Sequence, residues 1–215
     1  MLIAKAESNS GGFTPVPSGM HLARCYRIID LGTQRTVWQG QEKHQRKIMV
    51  QFEIHSEDDQ GNPLLTDKGD PLSISKNYTL SLNENATLSK DLESWRGSAF
   101  TADERKGFDL NNLLGVWAMI NVTKATGNDG KEYTNISTIN SVPSNIKKAG
   151  LPQGHNEAKL FSIDKPDMQL FESFGKYTKE KIQNSPEWQA KKHGSSTTRT
   201  AFDDLEDDAN SDVPF

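Results

Sequence analysis

The sequence predicts a mainly β protein: a small five-stranded barrel with one helix between its third and fourth strands, then a helical extension and a disordered acidic tail. Three observations carry this expectation. Apolar and polar residues alternate in short runs separated by turns rich in Gly, Asn, Asp and Pro. One run of helical period interrupts them, and acidic charge gathers at the C-terminal end.

Residues 1–18 carry Ser, Asn, Gly and Pro with little periodicity and read as a flexible lead-in. A first strand is expected over residues 20–31, with Arg24, Tyr26 and Ile28 on one face and Ala23, Cys25, Arg27 and Ile29 on the other. Neither face is wholly apolar, so the parity that meets the core stays open. Residues 32–46 read as a polar, basic connection. The next run, 47–55, alternates cleanly, with Ile48, Val50, Phe52 and Ile54 sharing a face. Residues 57–71 form a long turn rich in Asp, Gly, Asn and Pro. A third strand over 74–82 sets Ile74, Lys76, Tyr78, Leu80 and Leu82 on one side.

The period then changes. Leu88, Leu92 and Trp95 recur at helical spacing, with Asn85 as a cap and Gly97 as a stop. An apolar turn at Phe108, Leu110, Leu113 and Leu114 leads into a fourth strand over 115–124, where Val116, Ala118, Ile120 and Val122 alternate with Trp117, Met119, Asn121 and Thr123. Gly127, Asn128, Asp129 and Gly130 spell a hairpin turn, and residues 132–142 complete the pair. Five strands with a helix between the third and fourth is the order of the oligonucleotide-binding (OB) fold, here over residues 19–145. A different α+β sheet domain presents the same string of elements. Residues 146–194 read as a linker and helical extension. A helix over 166–183 is capped by Asp164, starts at Pro166 and ends in lysines, and a second from Ser185 and Pro186 carries Trp188 and stops near Gly194. Residues 195–215 are too polar and acidic to offset the entropy of ordering.

Composition removes several function classes. With 33% apolar residues and a mean hydropathy of −0.71, the chain holds no run approaching the roughly 18 apolar residues of a membrane helix. It also begins without the apolar run of a secretory signal, so a cytoplasmic location is expected. Cys25 is the single cysteine, which rules out an intramolecular disulfide and a thiolate zinc cluster, and its apolar surroundings predict burial. Walker, nucleophile-elbow and zinc-helix motifs are absent, and the five histidines are scattered. Asp58, Asp59, Asp67 and Asp70 sit in turn-like sequence and lack calcium-loop spacing. These readings predict neither enzyme activity nor a metal or other cofactor, with a magnesium-dependent nuclease as the enzyme alternative.

The net charge of −4 conceals its distribution. Six acids and no base lie in residues 203–215, and setting them aside leaves 23 acids against 25 bases. A mildly basic body suits a groove in which Lys and Arg meet phosphates while aromatic rings stack on bases. The candidates for such a groove are Arg24, Tyr26 and Arg27 on the first strand, Arg35, Trp38, Lys43, His44, Arg46 and Lys47 in the connection, and Tyr78, Trp117 and Tyr133 on later strands. Trp95 lies on the apolar stripe of its helix and reads as core.

The last residues, Asp212, Val213, Pro214 and Phe215, form a recognition element. A terminal ring fits an apolar pocket, Pro214 limits the entropy lost on docking, and the acids before it steer toward basic partners. This ending resembles, position by position, the tip of bacterial single-stranded DNA-binding proteins. The body, above all Gly19 to Gln34, is similar to an OB-fold family of tailed-phage single-stranded DNA-binding proteins. One departure is that Asn210 and Ser211 interrupt the acids beside the tip. The resemblance implies a phage protein, active in the cytoplasm of the infected host, that coats and protects single-stranded DNA during replication, recombination and repair. It further implies recruitment of polymerase, helicase, primase or recombinase through the tip, and leaves homo-oligomer formation and strand annealing open. The rival reading is an OB-like protein-interaction adaptor that does not bind DNA.

Overall fold

The computed structural model describes residues 14–194 apart from 39, 128, 129 and 131. Its elements in chain order are β1 (Gly19–Trp38), β2 (Gln41–Ile54), β3 (Ser73–Thr79), α1 (Thr87–Arg96), β4 (Trp117–Thr126), β5 (Glu132–Asn140), α2 (Ser144–Ala149), β6 (Lys159–Phe161), α3 (Met168–Glu172), α4 (Lys176–Gln183) and α5 (Pro186–Gly194). The strands form one sheet in the order β3-β2-β1-β4-β5, antiparallel throughout, and β6 joins β1 in parallel. No ladder links β3 to β5 among the described residues. The sheet is therefore open in its hydrogen bonding among the described residues, with six strands where the sequence predicts a barrel of five. The sixth, β6, is three residues long, too short for its alternation to stand out.

The long first strand explains its own mixed pattern. Cys25 pairs with Phe52 and Arg27 with Gln51, which leaves Tyr26 as an extra residue in a β-bulge. The bulge exchanges the faces. Ala23 and Cys25 before it and Ile28 after it point into the main core, whereas Ile29 and Leu31 turn outward to a second apolar cluster. A single parity could not have been apolar along this strand.

Residues 32–38 and 41–46, expected as part of a connection, are instead strand. They form a two-stranded arm in which Thr33 pairs with Arg46, Arg35 with His44 and Trp38 with Gln41. Gly40, with φ of 76°, occupies the turn at its tip. Because most of the arm is exposed on both faces, no apolar alternation marked it in the sequence.

The main core lies between the inner faces of β1–β5 and α1. Leu88, Leu92 and Trp95 of α1 enter it, and Trp95 meets Phe52 with ring centroids 5.3 Å apart while its Nε1 donates to the Trp117 carbonyl at 2.9 Å. Gly97 ends the helix in the left-handed region as expected, its N–H reaching the Glu93 carbonyl. The N-terminal cap is Ala86 rather than Asn85, and its side chain makes no cap bond.

A second cluster seats the C-terminal helices on the outer face of β1 and β2. Phe161, Phe171, Phe174 and Trp188 gather over Ile29, Leu31 and Met49, with Phe171 and Trp188 stacked at 4.7 Å. Each such ring contributes about 2 kcal/mol by leaving water. The predicted single helix is broken between Glu172 and Lys176, and Asp167, not Asp164, caps its first part by accepting from Leu170 N. Gly32, at φ of 68°, lets β1 pass against Ser185, where a Cβ would collide. Beside it Thr33 donates its N–H (2.9 Å) and hydroxyl (2.5 Å) to Glu187, fastening the cap to the base of the arm. No described helix is long and apolar enough to cross a membrane.

Candidate functional site

Alternation along β2 and β3 decides which side chains face outward. On β3, Ile74 and Tyr78 point into the core, so Ser73, Ser75, Asn77 and Thr79 line the opposite face. On β2 the outward set includes Gln45, Lys47 and Gln51. Short polar side chains leave space above the sheet, and two clefts occupy it. The larger, about 1030 Å³, has Gln51, Ser73 and Ser75 on one side and the β4–β5 hairpin end, with Tyr133, on the other. The smaller, about 420 Å³, is lined by Gln45, Lys47, Asn77 and Thr79 and by the residues leading into α1. Lys47 Nζ donates to Thr79 Oγ1 at 2.5 Å and to Gln45 Oε1 at 3.3 Å and has no carboxylate partner among the described residues. Partial burial lowers its pKa. This surface offers neutral donors and acceptors around one ammonium, flanked by Tyr133, which is 48% exposed.

The other sequence candidates are scattered. Arg24 lies on the outer face but is spent internally: its Nη1 donates to Glu53 Oε1 and to the Asn156 carbonyl, both at 3.0 Å. Glu53, with its side chain 0% exposed, is a hub that also accepts from the backbone N–H groups of His155 and Asn156 and from the Asn156 side-chain amide. Burial pushes its carboxyl up, but the bonds from Asn156, His55 and Arg24 outweigh that and hold it down at about 2. Trp117, opposite Arg24 on β4, is half-buried and meets the His55 ring edge-on at 4.9 Å.

Tyr78 corrects its expected role. Its ring is 4% exposed within the core, its hydroxyl donates to Asp91 Oδ2 at 2.8 Å, and burial raises its pKa, so it offers no platform for a base. Arg46 projects from the core-facing parity of β2 just beyond the core, where it is bound by Asp30 at 2.5 Å and approached by Asp164 at 3.5 Å. The hydrogen bond to Asp30 raises its pKa. Arg24, Arg46 and Tyr78 thus share no common surface.

On the arm, Arg35 and His44 both pair with Glu42 at 2.7 Å, leaving Lys43 exposed with no ion partner among the described residues. Trp38 holds the last position of β1, and its side chain lies outside the described residues. Tyr26 and Arg27 both project outward at the bulge, Tyr26 buried and Arg27 half-buried with its guanidinium 5.2 Å from the Tyr26 ring. The tip, Asp212, Val213, Pro214 and Phe215, and the acidic tail that bears it also lie outside the described residues.

Sequence reasoning missed Gln45, Gln51, Ser73, Ser75, Asn77 and Thr79. The usable signal was the polar parity of the two alternating strands, but attention to charged and aromatic side chains alone passes over neutral ones. Among the described residues no group of three or more His, Cys, Asp or Glu could hold a metal ion. Asp58 accepts from Gln60 N and Asn62 N and so closes its own turn, and Asp70 meets His155 at 3.1 Å. Cys25 is buried, which pushes its thiol up to about 12. No family model matches the chain, and no curated protein matches it.

Proposed function

We propose that this protein binds single-stranded DNA without catalysing a reaction, in the manner of a phage single-stranded DNA-binding protein, and recruits replication or recombination proteins through its acidic tip. The observation that carries the reading is the outer face of β2 and β3, where neutral amides and hydroxyls surround Lys47, set between a projecting arm that bears exposed Lys43 and the Tyr133 hairpin end. A single strand needs those three things. Cations meet phosphates, a ring stacks on bases, and neutral amides and hydroxyls meet base edges without demanding one sequence.

The strand order β3-β2-β1-β4-β5 with α1 between β3 and β4 supports an OB-like barrel closing at β3 and β5. In such a barrel the face of the second and third strands and the two flanking hairpin ends carry the oligonucleotide. The proposed interface is Lys43, Gln45, Lys47, Gln51, Ser75, Asn77 and Tyr133, with Arg35 and Trp38 on the arm. Polymerase, helicase, primase and recombinase are the classes of partner for the tip.

Fluorescence titration with oligo-dT at several salt concentrations tests the proposal. Tryptophan quenching and an affinity that falls linearly on a log-log plot against salt are expected. Absence of any salt-dependent binding at low ionic strength would leave the adaptor reading in its place.

A further inference from the structure

Six arginines lie among the described residues, and five of them are paired with a carboxylate: Arg24, Arg35, Arg46, Arg96 and Arg105. Arg27 is the exception. Its side chain makes no hydrogen bond or ion pair to any described residue, although it is half-buried and its Nε is sealed from solvent. A guanidinium in that setting is costly to retain without an anion.

Its surroundings are ordered around it. The bulge turns Arg27 outward, and the Tyr26 and Phe174 rings lie 5.2 and 5.8 Å from its guanidinium carbon, limiting its freedom before any ligand arrives. It lines a cleft of about 230 Å³ between β1, β6 and α3, together with Lys159, Glu157, Gln169 and Ser173. Glu157 pairs with Lys159 at 2.9 Å, so these two cancel and the cleft keeps one net positive charge. Gln51 is the register partner of Arg27 across the strand pair, and its Oε1 is likewise buried without a partner. The same Gln51 lines the larger cleft, which places Arg27 one strand beyond the proposed DNA face.

We infer that this cleft binds one backbone phosphodiester of the single strand, held by the Arg27 guanidinium, as the strand passes from the β2–β3 face toward the C-terminal helices. The inference rests on the DNA-binding reading. A single negative charge matches the single net positive charge of the cleft, and a planar fork with two outer nitrogens suits the two free oxygens of a phosphodiester. A phosphate contact carries no sequence information, so its contribution is the same for every base.

The experiment compares the full chain with Arg27→Gln and Arg27→Lys in salt titrations with oligo-dT and oligo-dC, alongside thermal melts without DNA. Arg27→Gln is expected to lose affinity equally for both oligonucleotides and to reduce the salt slope by about 0.7, one phosphate's share on a single strand. Its melting temperature should match or exceed that of the parent, since an uncompensated charge has gone. Arg27→Lys should keep the parent slope with weaker binding, because an ammonium lacks the fork. Parent affinity and slope in Arg27→Gln would overturn the inference while leaving the DNA-binding reading standing. If Arg27→Gln melts early, Arg27→Lys decides: the parent slope supports the phosphate contact, and a reduced slope refutes it. Failure of the parent chain itself to bind would remove both claims.

Discussion

At the residue scale, Glu53 shows how a strand position becomes structural rather than functional. Alternation puts it on the outer face beside Gln51, where a carboxylate would repel a nucleic acid, but five hydrogen bonds from Arg24, His55, His155 and Asn156 turn it inward on the protein. Its folded pKa of about 2 lies below its ordinary value of 4.5. Its contribution is therefore complete above about pH 5 and is lost as the pH falls from there toward 2, a total of up to about 3 kcal/mol. Urea denaturation of the parent and Glu53→Gln from pH 7 to pH 2.5 checks this. The variant should be less stable at pH 7, and the gap should narrow steadily below pH 5. A gap independent of pH would show that the carboxylate charge is not what holds the 153–157 segment to β2.

At the element scale, the arm and the C-terminal cap pull the same strand pair in different directions. Beyond Gln34, β1 pairs only with β2 among the described residues, so the arm owes little to the core, and Lys43, exposed on it, is available to a partner. Nearer the body, the outer face of the pair is covered by Phe161, Phe171 and Phe174 and is closed to one. Charge reversal at exposed Lys43 should accordingly weaken oligo-dT binding at low salt by several-fold and lower the salt slope by about 0.7, one phosphate's share on a single strand. The melting temperature should not move, because surface substitutions of this kind change stability by roughly 0.5 kcal/mol or less. Parallel titration and calorimetry of Lys43→Glu decide it, and unaltered binding would take the arm out of the interface.

At the scale of the whole molecule, the distribution of charge matters more than its sum. Residues 203–215 hold six of the 29 acids, so the remainder of the chain is slightly basic although the total is −4. A polyanionic segment and a DNA strand compete for the same cations, and screening weakens that competition as salt rises. Deleting residues 203–215 should tighten oligo-dT binding at low salt and matter less at high salt. Equal or weaker affinity at low salt after deletion would dismiss autoinhibition by the tail. It would leave untouched the separate proposal that the tip recruits partners.

Much was legible in the primary structure because local periodicity reports which face of an element leaves water. The alternation of Ile48, Val50, Phe52 and Ile54, the helical spacing of Leu88, Leu92 and Trp95, the Gly97 stop and the pairing of β4 with β5 all reappear in space. The acid block and the Asp-Val-Pro-Phe ending are properties of the sequence alone. Other features depended on pairing between distant segments, which no local pattern encodes. The bulge at Tyr26 reversed the faces of β1, the polar arm became strand because β1 and β2 pair beyond the core, and β6 with its helices settled on an outer face. Which described arginine kept its charge free was likewise decided by the fold: every carboxylate partner of Arg24, Arg46, Arg96 and Arg105 lies at least eight residues away along the chain, and no described carboxylate reaches Arg27.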